Sequence, residues 1–263
     1  MDEAINFKTY YLLTKIIAKI KNLSPLRVGA GKGIRIGESD LPIIRTADRR
    51  AVVPGSSLKG VFRNNIARFL NWDVEKELNY VFGGSDPPIG SSIIFSDFVS
   101  EQAIENVERT HIRINLRTGG VRNMFQAEYA PEDNVFIGSM MGRNIPLSDL
   151  AIMISLVTKL MNFGIVRIGG FKSRGYGLVS FDIDRIQVIL PSDDLRYTTK
   201  LGFTKGGERE VRIKVEKDQL KENDKHIFSS KLASDSQLFK VYEIDKTSFY
   251  SVGDGLLQEI INA

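Results

Sequence analysis

Ile168-Gly-Gly-Phe-Lys-Ser-Arg-Gly-Tyr-Gly177 is the stretch on which the reading of this chain turns. Directly after it, Val179, Phe181 and Ile183 alternate with Ser180, Asp182 and Asp184, the period-two pattern of a half-buried strand. Glycines let a backbone approach a ligand closely and take positive φ, and Gly169 and Gly170 open this loop. Lys172, Ser173 and Arg174 supply donors suited to phosphate, and Tyr176 offers a face for a base. A nucleotide-binding P-loop would end in G-K-[ST] and run into a helix; here a strand follows, which also excludes a dinucleotide fingerprint. On local features alone the segment is equally a tight turn with solvated charges.

Working outward, Asp149 to Phe163 reads as the clearest helix, with Leu150, Met153, Ile154, Val157, Leu160 and Met161 as its buried stripe and Gly164 ending it. Before it lies a basic, irregular stretch from Arg109 to Arg143, part of which is a hairpin turning at Thr118-Gly-Gly120. Ser91 to Phe98 reads as a strand. Pro54-Gly-Ser-Ser57 feeds a helix that a serine caps, with Leu58, Phe62, Ile66 and Phe69 as one apolar stripe and Lys59 and Arg63 on another face. Such a helix start attracts phosphate, or is simply a capped surface helix with solvated cations. Tyr11 to Asn22 alternates Ile16, Ala18 and Ile20 against Lys15, Lys19 and Lys21, and a glycine-dotted loop follows from Val28 to Gly37. The order of strands and helices predicts an α+β fold, a sheet with helices packed on one face. After Pro191 the chain is more charged and less periodic, which suggests a peripheral extension.

With 42% hydrophobic and 26% charged residues, the chain has a globular composition rather than a disordered one. No run of about 18 apolar residues occurs, and MDEAINFK lacks an apolar signal core, so neither a membrane span nor a secretory signal is expected. Cysteine is absent, which excludes thiolate metal sites and a cysteine nucleophile and fits a cytoplasmic protein. His111 and His226 are the only histidines, too few and too far apart in sequence for ordinary histidine nuclease chemistry. The net charge is +4, and the basic surplus lies wholly before Pro191.

Pro54-Gly-Ser-Ser-Leu-Lys-Gly60 and the later Gly169-Gly-Phe-Lys-Ser-Arg-Gly-Tyr-Gly177, in that order and with the second ahead of the closing strand, resemble the hallmark pair of the RAMP superfamily of CRISPR proteins. The resemblance covers about residues 10–190. Within the superfamily the chain looks most like the repeated backbone subunit of type III interference complexes. Ile36-Gly-Glu-Ser-Asp-Leu-Pro-Ile-Ile-Arg45 carries that likeness, with Asp40 at the position of a loop aspartate. The resemblance implies a ferredoxin-like, RNA-recognition-like antiparallel sheet with helices on one face and a thumb inserted at about 109–143. Residues 1–190 would form this core, and 191–263 an extension or small subdomain.

It further implies a guide RNA held by Arg27, Lys59, Arg63, Gly169, Gly170, Lys172, Ser173, Arg174 and Tyr176, with sequence read by base pairing rather than by protein. Copies of the chain would stack along the guide beside other subunits of the complex. Thumb residues would be Arg113, Arg117, Arg122, Met124 and Phe125, core packing being an equal alternative for the last two. In the assembled complex Asp40 would act as an endoribonuclease residue on the paired target RNA. RNA brings its own 2′-hydroxyl nucleophile, so one carboxylate suffices, as a base or as the ligand of a divalent ion such as magnesium. Asp40 is alternatively a turn residue in Glu38-Ser-Asp40. Two features depart from the family pattern: Leu26-Arg-Val28 stands where a histidine can occur, and the chain after Pro191 is longer than the minimal fold. The rival readings are a non-catalytic backbone subunit, a capping subunit and a guide-processing endoribonuclease, the last disfavoured by the histidine count.

Overall fold

A computed structural model describes residues 9–32, 39–70, 78–85, 88–201 and 208–262. The amino-terminal MDEAINFK, the loop from 33 to 38 ahead of Asp40 and part of the charged stretch after Leu201 lie outside the described residues.

The alternation in β1 (Leu13–Asn22) survives intact: Ile16, Ala18 and Ile20 are buried, and Lys15, Lys19 and Lys21 turn to the other face. The second and outermost strand of this half is β2 (Arg50–Val53), and it leads into α1 (Gly55–Leu70). A short α2 (Asn79–Phe82) and a two-residue ladder of β3 (Gly84–Ser85) with β4 (Pro88–Ile89) follow. Next come β5 (Ile93–Phe95) and β6 (Phe98–Ala103), then a separate hairpin of β7 (Val107–Ile114) and β8 (Val121–Tyr129). The chain returns through β9 (Val135–Arg143), α3 (Leu147–Asn162) and β10 (Val179–Leu190). β1 lies between β10 and β9, antiparallel to both, and β9 pairs antiparallel with β6. The order β10–β1–β9–β6–β2 therefore interleaves strands distant in sequence.

Helices cover the buried face of this sheet. Phe62 of α1 meets Phe181 of β10 edge-on, ring centroids 6.0 Å apart. Leu150 of α3 fills the space above Gly142, where a Cβ would come within 2.9 Å of it. In α1 the stripe is Leu58, Phe62, Ile66 and Leu70 rather than Phe69, which is 51% exposed. The last turn rotates the i+4 position, not i+3, onto the core. The start of α1 is also not serine-capped: the Gly55 amide donates to Asp97 Oδ1 at 2.8 Å. A Cβ on Gly55 would meet the Phe95 carbonyl at 2.4 Å, so the β5–β6 corner is pressed against this helix start.

Two sequence expectations split on the structure. The basic stretch expected as one insertion over 109–143 is a hairpin followed by a central strand, because β9 belongs to the core sheet. After Pro191 the chain is not irregular. β11 (Asp194–Thr199), β12 (Arg209–Glu216), β13 (Gln219–Glu222), β14 (His226–Asp235) and β15 (Lys240–Ile244) extend the same sheet, β15 pairing with β10. α4 (Lys246–Ile261) packs on α3 so closely that a Cβ on Gly253 would lie 2.4 Å from the Ala151 carbonyl. This is why α3 is buried around most of its circumference.

The added strands also complete α3. Glu222 of β13 is 1% exposed, and its carboxylate accepts from the Leu147 amide at 2.6 Å and from the Ser148 hydroxyl. A carboxylate at a helix amino terminus satisfies orphan amides and complements the helix dipole. Glu222→Ala is expected to destabilise the protein by about 2 kcal/mol or more, since buried donors lose a charged acceptor. Chemical denaturation of the variant would measure this, and an unchanged midpoint would refute it.

Candidate nucleic-acid interface

The glycine loop is held by a backbone bond that closes it on itself and by two more to residues 25–27. Ile168 N donates to Gly177 O at 3.0 Å, Gly170 N to Arg27 O at 2.7 Å and Gly177 N to Pro25 O at 2.9 Å. Gly169 has φ 76°, and a Cβ there would lie 2.3 Å from the Arg27 carbonyl; Gly177 has φ 79°, with the Ile168 carbonyl 2.0 Å from its Cβ position. Both glycines are thus required by protein packed against protein. Between them Lys172, Ser173 and Arg174 form one 3-10 turn with exposed side chains. Phe171, at φ 58°, is a non-glycine residue in the left-handed region.

Arg27 is the unusual residue of the site. It is 9% exposed, its Nε has no hydrogen-bond partner, and no carboxylate pairs with it among the described residues. Burial pulls its pKa below the ordinary arginine value, with Tyr176 and Glu128 opposing. Its guanidinium lies over the Phe171 ring, 5.0 Å from the centroid, and Arg174 lies 4.9 Å from the same centroid. Arg27 opens into a cleft of about 550 Å³ lined by Gly29, Gly31, Gly169, Gly170, Lys172 and, from α1, Ser57. Among the described residues no acidic side chain lines it. In the carboxy-terminal strands, by contrast, cations meet carboxylates: Arg212 pairs with Asp194, Lys221 with Glu216 and Lys240 with Asp193. Among the described residues the Arg27 guanidinium is thus buried without a carboxylate partner, and a charge so placed is stabilised by an anion.

α1 does meet the glycine loop, but not with the face expected. At 100° per residue, Ser57, Val61 and Asn64 share one flank of the buried stripe and Lys59 and Arg63 the other. Arg63 donates to Gly83 O and Asn79 Oδ1, both at 2.8 Å, and thereby ties α1 to α2. Lys59 is half-buried, with its pKa lowered by burial and by Arg63 and Arg143. Neither lines the cleft. Phosphate at the helix start meets a further obstacle, because Asp97 already holds the Gly55 amide.

Tyr176 is a second correction. It is 1% exposed and cannot offer a face to a base. Its ring packs among Tyr129, Phe171 and His111, and its hydroxyl lies 3.4 Å from His111 Nε2. This aromatic cluster joins the loop to the hairpin. His111 of β7 stacks on its cross-strand partner Phe125 of β8 at 5.3 Å, and Arg109 lies over Tyr129. Burial and the neighbouring Arg174, Arg109 and Arg27 depress the His111 pKa, so the ring stays neutral at higher acidity than a free histidine. Phe125 is therefore half-buried packing, whereas Met124, on the opposite face of the ribbon, is 65% exposed. Arg113, Arg117 and Arg122 are exposed along the outer hairpin and its turn. Sequence reasoning missed His111, Phe171 and Arg109. The only signal was the period-two spacing of Arg109, His111 and Arg113.

Asp40 is exposed and its Oδ2 accepts from the Gln126 amide of β8 at 2.8 Å. Leu41 and Ala127 bridge in parallel, and buried Glu128 holds both the Ile43 amide and Arg45. The 39–45 segment is thereby fastened along β8, which places Asp40 beside the strand that bears Phe125. Among the described residues no group of three Asp, Glu or His side chains gathers around Asp40 or elsewhere.

The sequence model of the RAMP superfamily matches residues 19–180, more than half of the chain. A chain of the "Type III-B Cmr-beta Cryo-EM structure of the Apo state" superposes with a TM-score of 0.52 at 15% identity, over 64% of this chain and 96% of that one. At that identity the likeness is one of fold. No curated protein matches this chain in sequence.

Proposed function

Because the chain belongs to the RAMP superfamily, we propose that it is a guide-RNA-binding backbone subunit of a type III CRISPR interference complex. The observation that carries the proposal is Arg27, a buried cation with no carboxylate partner among the described residues, in a glycine-lined cleft between α1 and the Ile168–Gly177 loop that no described acidic side chain lines. A phosphodiester is the anion that fits: its charge pairs with the guanidinium, and Lys172, Ser173 and Arg174 offer further donors at the rim. The antiparallel order β10–β1–β9–β6, with α1 and α3 as the crossovers, supports a ferredoxin-like core. We read residues 1–190 as that core and 191–263 as an extension continuous with its sheet.

In an RNA-recognition fold, aromatic side chains on the open sheet face stack bases. Here the corresponding positions of β1 and β9 are Lys15, Ile17 and Lys19 and Ile137, Ser139 and Met141. RNA is accordingly assigned to the cleft at the loop, not to the sheet. The β7–β8 hairpin is read as the thumb. Ile112, Ile114, Val121 and Met124 are exposed on it, an apolar ribbon suited to wedging between bases of a guide–target duplex. Repetition of the chain along the guide, with other subunits at its ends, would set the spacing of such wedges.

Asp40, on the segment fastened to that hairpin, is the candidate to act on the target RNA by accepting the 2′-hydroxyl proton. A magnesium ion held at Asp40 would draw its other ligands from beyond this chain's described residues, RNA phosphates among them. One observation favours a second reading: the carboxylate already serves the Gln126 amide, as it would in a non-catalytic backbone or capping subunit.

Titration of single-stranded RNA into the purified chain at several salt concentrations tests the binding reading. Each phosphate neutralised contributes about −0.7 to the slope of log K against log salt. Lys172→Ala with Arg174→Ala is expected to flatten the slope by about 1.4, one contact for each cation, and Lys59→Ala with Arg63→Ala to leave it unchanged. Wild-type protein that binds no RNA at any salt would overturn the proposal.

A further inference from the structure

The Arg27 cleft does not end at Lys172. A second cleft of about 460 Å³ adjoins it, and the two share Ser57, Val61 and Lys172. Its walls are Gly60, Asn64 and Arg68 of α1 on one side and Ile165, Val166 and Arg167 on the other. Among the described residues no acidic side chain lines it, and neither Arg68 nor Lys172 has a carboxylate partner. Ser57 to Arg68 covers about 16 Å of helix, so the groove is an elongated track rather than a hole. Just ahead of Ile165, which lines this cleft, the chain leaves α3 through Gly164, and the residues on either side of that glycine are bare: Phe163 is 79% exposed and Ile165 64%. Scattered exposed apolar residues are common. Here Ile165 lines the cleft, and Phe163 stands two residues before it across Gly164, an exposed aromatic ring in the adjoining stretch of chain.

We infer that this second cleft is a further subsite for single-stranded RNA, adjoining the Arg27 cleft. Arg68 and Lys172 take a backbone phosphate and Phe163 stacks a base. This inference rests on the RNA-binding reading of the Arg27 cleft. It adds a direction: the strand runs from the glycine loop along the Ser57–Asn64–Arg68 flank of α1. Stacking on an aromatic face tolerates any base, so the subsite adds affinity without sequence preference.

Anisotropy titrations of the full chain with oligouridylates of increasing length separate the two sites. Phe163→Ala and Arg68→Ala are expected to weaken long oligonucleotides at least about fivefold and to leave the shortest binding ones unchanged. Phe163→Trp should retain the affinity. A 2-aminopurine base placed at the subsite should be quenched by wild-type protein and not by Phe163→Ala. Phe163 and Arg68 are exposed, so these variants should fold normally. If both alanine variants match wild type at every length while Arg27→Ala still weakens binding, the second subsite is refuted and the first stands. If wild type binds no oligonucleotide at all, both readings fall.

Discussion

Replacing Arg27 by alanine will weaken single-stranded RNA binding by at least about tenfold and will not lower the stability of the free protein. The two halves of this expectation have one cause. Among the described residues the guanidinium is buried without a carboxylate, and its Nε is unsatisfied, so its charge is a burden on the fold. Removing it relieves that burden and loses some packing on Phe171. When a phosphate enters, the same desolvated charge gains a partner at short range, where screening by water is weak. Loss of such a charge pair typically costs about 2–5 kcal/mol, and 1.4 kcal/mol is already a factor of ten. Arg27→Lys should fall between the two, because an ammonium keeps the charge and loses the planar fork and the ring contact. A purely structural Arg27 would behave oppositely: Arg27→Ala would lower the melting temperature and leave the affinity of the remaining folded protein unchanged.

In an assembled complex, Asp40→Asn will slow cleavage of guide-paired target RNA by about a hundredfold or more while guide binding stays intact. Loss of a positioned general base commonly costs 10²–10⁴ in rate, roughly. Asparagine is the informative substitution because of the Gln126 amide. Its side-chain oxygen can accept the same 2.8 Å bond, so the 39–45 segment stays fastened to the hairpin while the proton-accepting charge is removed. Asp40→Ala removes both, and any extra loss it shows over Asp40→Asn measures the fastening role alone. Full cleavage by Asp40→Asn with loss only in Asp40→Ala would assign the aspartate to positioning. Full cleavage by both would favour the non-catalytic backbone or capping reading.

These expectations draw unequally on what could be read beforehand. β1, α3 and β10 were legible because a buried face imposes its period directly on the chain: two in Ile16, Ala18 and Ile20, close to 3.6 in Leu150, Met153, Ile154 and Val157. The carboxy-terminal strands carried a similar signal, with Leu195, Tyr197 and Thr199 buried in alternation, but the high charge of the intervening positions masked it. The Asp97 bond at the start of α1 and the Glu222 cap on α3 were not legible, since each partner lies more than forty residues away.

By itself, then, the sequence determined an α+β chain with a glycine loop ahead of its closing strand, a helix bearing cations and an aspartate, Asp40, in the segment before that helix. These are local properties, set by side-chain period and backbone freedom. Only the tertiary structure decided which cations face one another. Helix rotation follows from the packing of Leu58, Phe62 and Ile66, and it turns Ser57 and Arg68 toward the loop while carrying Lys59 and Arg63 away. The same packing buries Tyr176 and leaves Arg27 unpaired beneath the loop, because contacts between residues so far apart in the chain are specified by the whole core and by no single segment.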